Sequence, residues 1–282
     1  MTTTPTRIAL PSKGRLRDDV LAVLETAGYG TGAIKGGGAM AGDGELEFLE
    51  MRPRDAGAAL AAGQLAGAFI STDIAMEHGL EDLPTRPLGF SRSDLVVASR
   101  DDDGRYDAGD LDGAVIATHL PNVTRTFFAG KGLDVTIVEM GGSLEGFCAA
   151  GLADAIVDLR ETGRSLRANR LRVLEQIRPC EAVFTRRHEA AQLADLELRM
   201  EAVLSARQHR YVMLHVREER LDALRELFPG LESPTVLPLA ARTDLVAVHF
   251  VVGADELWRR LSDLRQLGAT GIVALEPQAL LD

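Results

Sequence analysis

Cysteine and aromatic side chains are scarce in this sequence: 282 residues carry two cysteines, one tryptophan and 5% aromatics in all. Cys148 and Cys180 have neither C-x-x-C nor metal-type spacing, which excludes a disulfide scaffold and predicts a thiol-reduced, cytoplasmic protein. No run of 18 apolar residues occurs, so no membrane span is predicted, and the opening MTTTPTR lacks the apolar stretch of a signal peptide. A basic excess is missing too. A formal net charge of −11 argues against a general nucleic-acid or membrane-surface binder, while leaving room for a local basic pocket that takes a small polyanion. The six histidines never pair at i, i+4, which argues against a zinc site.

What is present is an ordinary globular composition, 46% hydrophobic and 26% charged, at a length suited to two or three domains. RIAL, ELEFLEM, LAGAFI, DLVVAS, AVIAT, VTIVEM and ADAIVDL read as strands. Between most of them lie segments with helical spacing, such as RDDVLAVLETAGY and HLPNVTRTFFAGKG. Residues 30–44, rich in glycine and without apolar periodicity, read as a loop or hairpin. Strands alternating with helices over 150 residues predict parallel α/β sheets, divided near residue 94 into two similar lobes. From 210 onward the order becomes β-α-β-β-α-β, that of a ferredoxin-like module.

Residues 153–169, ADAIVDLRETGRSLRAN, hold the most suggestive chemistry. Asp154 and Asp158 share one face of the strand, since i and i+4 point the same way. Thr162-Gly163-Arg164-Ser165 follows at a helix start, where free N–H groups, hydroxyls and a guanidinium suit a phosphate. An acid beside such a turn suits a Mg2+-bound sugar pyrophosphate or its ribose hydroxyls. A capped helix with solvated acids fits the same local residues. Three more basic strand-to-helix turns, Ser12–Arg15, Arg52–Asp55 and Pro121–Arg125, favour a ligand pair carrying many phosphates in a cleft between the lobes.

IALPSKGRL, MRPRD, IATHLPNVTRTFFAGKG, GGSLEGFCAAGLADAIVDLRETGRSLRAN, PGLESPTVLPL and LRQLGATGIV together resemble the long form of ATP phosphoribosyltransferase, the first enzyme of histidine biosynthesis, over essentially the whole chain. The resemblance implies two lobes like those of type II periplasmic binding proteins and a ferredoxin-like (PII/ACT-like) regulatory domain. Residues 1–94 and 182–207 would form lobe I, 95–181 lobe II and 208–282 the regulatory domain. It implies Mg2+-dependent attack of adenine N1 of ATP on 5-phosphoribosyl 1-diphosphate (PRPP), with release of diphosphate and no side-chain nucleophile. Thr162, Gly163, Arg164 and Ser165 would cradle the 5-phosphate, with Asp158 near the ribose hydroxyls and Glu161 also among the PRPP-binding residues. Asp154 and Glu145 would lie near ribose and metal, and Lys13, Arg15 and Arg52 would neutralise the diphosphate and the ATP phosphates. Asp73 joins these as an ATP-binding candidate. It closes the stretch Ala66–Asp73, where the family usually reads D-x-G-I-T-G-x-D and this chain departs from it. Histidine as feedback inhibitor and assembly as a homodimer or homohexamer are also implied. The regulatory candidates are His215, Arg217, Leu231, Ser233 and Thr235, with His215 and Arg217 standing where an acid is expected. Three alternatives stay open: the same reaction run for a coformycin- or pentostatin-type purine metabolite with weak histidine feedback, a non-catalytic regulatory homologue, and a solute receptor, which the missing signal peptide counts against.

Overall fold

The computed structural model describes residues 5–42, 45–187, 191–229 and 234–281. They fall into two compact units, Met1–Ala22 with Tyr29–Leu193, and Val23–Gly28 with Ala194–Asp282. No helix among the described residues is long and apolar enough to cross a membrane.

The first unit opens with β1 (Thr6–Pro11), α1 (Gly14–Thr26), a short α2 (Gly32–Lys35), β2 (Met40–Gly42) and β3 (Leu46–Met51). Then come α3 (Pro53–Ala61), β4 (Gly67–Ser71), α4 (Thr72–Glu77) and β5 (Thr85–Pro87). The chain next builds β6 (Ser93–Arg100), β7 (Val115–Thr118), α5 (Pro121–Gly130), β8 (Thr136–Glu139), α6 (Leu144–Ala149), β9 (Ala155–Arg160), α7 (Arg164–Ala168) and β10 (Leu171–Cys180). It returns as β11 (Ala182–Arg186) to the first sheet.

Two sheets result, ordered β2-β3-β1-β4-β11-β5 in lobe I and β10-β6-β9-β7-β8 in lobe II. Their centres are parallel, as expected: β1 pairs β3 and β4, and β7 pairs β8 and β9. The sheets are mixed rather than wholly parallel, because the strands that cross between lobes arrive running the other way. Thus β11 lies antiparallel to β4, and β6 antiparallel to β9. Central strands are covered on both faces and so read as continuous apolar runs, Ile8-Ala9-Leu10 in β1 and Ala155-Ile156-Val157 in β9. Where β9 leaves the core, at Asp158, its residues turn polar. One apolar cluster joins the lobes, bringing Ala9, Ile70 and Ile74 together with Leu120, Val123 and Phe128. Each large side chain fully buried there contributes about 1.5–3 kcal/mol.

The second unit contains most of α8 (Ala191–Gln208), then β12 (His209–Val216), α9 (Leu221–Leu227), β13 (Thr235–Leu239), β14 (Arg242–Gly253), α10 (Ala254–Gln266) and β15 (Thr270–Leu275). Its antiparallel sheet runs β13-β14-β12-β15, the ferredoxin-like order for a β-α-β-β-α-β chain. Leu224, Leu257 and Leu264 of the two helices pack with Val212, Leu214 and Val216 of β12 in one core. The unit boundary at 193/194 lies inside α8.

Candidate active site

The turn after β9 carries the densest set of sequence candidates. Gly163 has φ +69°, a left-handed conformation that a side chain rarely adopts, and a Cβ built there would lie 3.1 Å from Arg167 Nη1. Glycine therefore opens the turn and starts α7. Thr162 Oγ1 accepts from the Arg164 N–H at 3.4 Å, and the Ser165 hydroxyl donates to Glu145 in the first turn of α6. A cavity of about 420 Å³ lies over this turn, lined also by Lys13, Gly14 and Arg15 from the β1–α1 turn of lobe I. Four cationic side chains line it, Lys13, Arg15, Arg160 and Arg164, against two carboxylates, Glu145 and Glu161. Cations, hydroxyls and backbone N–H groups converging on one small space suit a phosphorylated ligand.

Beside the turn, Asp158 accepts from the Leu159 N–H at 2.7 Å, and His119 Nδ1 stands 3.5 Å from its Oδ1. Burial raises its pKa above the ordinary carboxylate value; the nearby Glu145 and Asp73 push the same way, while His119 opposes them. Asp73, 1% exposed, is raised by burial too, against a hydrogen bond from Ser71. Its Oδ1 has no hydrogen-bond partner among the described residues. Asp73, His119 and Asp158 thus form a chain of neighbouring polar groups.

The family model for ATP phosphoribosyltransferase matches residues 52–207, more than half of the sequence. The chain belongs to the ATP phosphoribosyltransferase family. A second family model, the C-terminal domain of HisG, matches residues 206–277. Curated ATP phosphoribosyltransferases from Gemmatimonas aurantiaca and Halobacterium salinarum are each 36% identical to it, covering 98% of this chain and 99% and 100% of their own. Among solved structures, an ATP phosphoribosyl transferase (HisG:HisZ) complex from Thermotoga maritima aligns with a TM-score of 0.61 at 26% identity. That alignment covers 71% of this chain and 98% of that one. The expected enzyme class therefore stands, as a phosphoribosyltransferase, and the likenesses favour neither the specialised-metabolite nor the non-catalytic alternative.

Within this phosphoribosyltransferase the structure sorts the candidates. Lys13, Arg15, Glu145, Glu161, Thr162, Gly163, Arg164 and Ser165 line the cradle cavity, with Asp158 next to Leu159 at its edge. Asp154 stands apart from this cavity. Sharing a strand face with Asp158 still leaves it about 13 Å away along β9, at the opposite end. There its oxygens accept from the Val115 N–H and from Arg105, both at 2.9 Å, and the Val115 bond leads in lowering its pKa. It ties the start of β7 to the preceding loop. Arg52 is exposed at the end of β3 and lines neither this cavity nor its larger neighbour.

The Pro121–Arg125 turn is a correction, because its anion site is already filled. Glu77, 3% exposed, accepts from Asn122 N–H at 3.1 and 3.0 Å and from Val123 N–H at 3.0 Å, and its own carbonyl accepts from Asn122 Nδ2. Glu77 and His119 escaped the sequence reading: Glu77 reaches α5 from a distant helix, and His119, although inside IATHLPNVTRTFFAGKG, meets Asp158 only in the fold. In the C-terminal module, Thr235 and His215 lie on the sheet face away from the helices, with Gly271 against the His215 ring. Arg217 is exposed and meets Glu219 at 3.8 Å. Leu231 and Ser233 fall outside the described residues.

Proposed function

We propose that the Asp158–Ser165 turn binds PRPP and presents its anomeric carbon to N1 of ATP. The observation that carries this is the single basic cavity in which the left-handed Gly163 turn of lobe II faces Lys13 and Arg15 of lobe I. Backbone N–H groups of residues 163–165 and the Thr162 and Ser165 hydroxyls hold the 5-phosphate. Asp158 accepts from the ribose hydroxyls. Lys13 and Arg15 meet the diphosphate and stabilise the charge it gains as the C–O bond breaks. Catalysis is then positioning and charge neutralisation, with no covalent side-chain intermediate.

Mg2+ fits this site as an ion carried mainly by its substrate. It retains waters readily and takes one or two carboxylates together with substrate phosphates. Among the described residues no cluster of three or more ligating side chains exists, but Glu145 and Asp158 interact at the cradle's edge and supply that pair. When bound, the ion would neutralise diphosphate charge; Glu145 and Asp158 would hold it, and Asp154 would not.

Histidine feedback and assembly rest on the second unit. With His215 on the open sheet face and the exposed Arg217 at its edge, we expect weak binding of free histidine, whose amino group is cationic. Leu237, Val251, Val273 and Leu275 are exposed on that same face and support a homo-oligomer, a dimer or hexamer, measurable by sedimentation. The function itself is tested by following phosphoribosyl-ATP absorbance with ATP, PRPP, Mg2+ and inorganic pyrophosphatase. Product is expected, and none would overturn the reading.

A further inference from the structure

The start of α5 is capped from a distance. Leu120 precedes the helix without a side-chain oxygen to offer, and Pro121 at its first position has no N–H to satisfy. The next two N–H groups, those of Asn122 and Val123, donate to the Glu77 carboxylate at 3.0 Å, and the Glu77 carbonyl accepts from Asn122 Nδ2 at 3.0 Å. A serine or aspartate at position 120 would satisfy the same groups locally. A carboxylate brought in from α4, and 3% exposed, fixes α4 against α5 as well. Ile74 and Ala75 of α4 lie in one apolar cluster with Leu120 and Val123.

The residues before α5 turn this cap into a constraint on the site. Thr118, fully buried at the end of β7, donates to the Val157 carbonyl at 2.9 Å and accepts from the Leu120 N–H at 3.0 Å. Thr124, also fully buried, donates to the Leu120 carbonyl at 2.7 Å. His119 lies between these tied residues, and its Nδ1 stands 3.5 Å from Oδ1 of Asp158, the residue after Val157. Asp73, four residues before Glu77 on α4, interacts with the same His119. One short helix thus holds the chain that follows His119 and sets a charge near its ring.

We propose that Glu77 is a positioning residue for phosphoribosyl transfer: by seating the start of α5 it holds His119 against Asp158, and so fixes the carboxylate that accepts from the ribose hydroxyls of PRPP. The proposal rests on the reading of Asp158 as that ribose ligand. Glu77 does not line the cradle cavity, so its effect on the reaction passes through α5 and His119. A cap with no other role would change how much of the enzyme is folded. It would not change the affinity of the folded enzyme for PRPP.

The test measures kcat and the KM for PRPP in Glu77→Gln, His119→Ala and the double variant. Glu77→Gln keeps the shape of the side chain and one acceptor oxygen, and is expected to raise the KM for PRPP about fivefold. His119→Ala should raise it at least as much, and the double variant should stay within about twofold of His119→Ala, because the two residues act in one chain. Formate should lower the raised KM of Glu77→Ala and leave that of the wild type unchanged. A wild-type KM for PRPP in Glu77→Gln, with a lower urea midpoint, would make Glu77 a cap alone and overturn the proposal. Losses that multiply in the double variant would overturn it too. If no variant at position 77 folds, Asn122→Ala, which removes the bond to the Glu77 carbonyl, takes their place; a smaller rise in KM is expected, and none would overturn the proposal. Asp158→Asn separates the two levels. If it leaves the KM for PRPP unchanged, the reading of the turn fails; if it raises the KM and the variants at position 77 do not, this inference alone fails.

Discussion

The two lobes are built on one plan and used differently. Each has three parallel strands, β3-β1-β4 in one and β8-β7-β9 in the other, flanked by a crossing strand that runs the opposite way. In lobe I the helix after the first strand opens toward the cradle with Lys13, Gly14 and Arg15, while the third strand passes directly from Ser71 into α4. Lobe II reverses both choices. Its first helix, α5, is closed by Glu77 from lobe I, and its third strand runs through Glu161-Thr162-Gly163 before α7 begins. Shared topology therefore does not create two open candidate phosphate sites. An anion site needs N–H groups left unfilled and a turn long enough to wrap the ligand, and the internal carboxylate removes one of the two candidates.

The largest effect that would break this comparison is expected from Gly163→Val. A β-branched residue at φ +69° and 3.1 Å from Arg167 would distort the turn, so turnover should fall by about a thousandfold or more while the far-UV circular dichroism stays native. Comparable kcat/KM with retained PRPP affinity would contradict the cradle.

Glu77→Ala should come next. It leaves buried N–H groups of α5 without a partner and is expected to cost about 2–3 kcal/mol, seen as a lower midpoint in urea. Formate, entering the vacated site, should restore part of that loss in the variant and have no such effect on the wild type.

Smaller, and opposite in sign, are the effects expected at Asp73 and Asp154. Asp73 has a raised folded pKa, so its burial costs stability increasingly as pH rises from about 3.9 to that folded value. Asp73→Asn should stabilise the protein at pH 7 by about 1–2 kcal/mol, with the gain fading at acid pH. Asp154 has a lowered folded pKa, so its contribution is complete above about 3.9 and lost as pH falls through the folded value. Asp154→Asn should therefore destabilise by about 1 kcal/mol at pH 7 after solvent screening, and leave the KM for PRPP unchanged. Urea melts between about pH 2 and 8 measure both.

Much of this architecture was legible because its signals are local. Buried strands such as β1, β6 and β9 announce themselves as apolar runs, and the turn at Gly163 by a glycine between hydroxyl residues and an arginine. The mixed character of the sheets was not legible. It depends on β6 and β11 running against the strands beside them, which follows from where the chain crosses between the lobes, and β10 beside β6 is a sheet-edge strand whose Arg172, Glu175, Gln176 and Arg178 break any alternation while two register shifts interrupt its pairing. Glu77 escaped for a related reason, since its partners lie 45 and 46 residues further along the chain. For Asp154, side-chain periodicity told which face of the strand it occupies but not that it lies at the end away from the cavity over the 158–165 turn.

The most direct test of the asymmetry between the lobes is a crystal structure of the enzyme with PRPP and Mg2+. The account expects the 5-phosphate within hydrogen-bond distance of the N–H groups of residues 163–165, with Glu77 still seated on α5. A 5-phosphate on the helix start at Asn122, or at Arg52 beyond the end of β3, would contradict it.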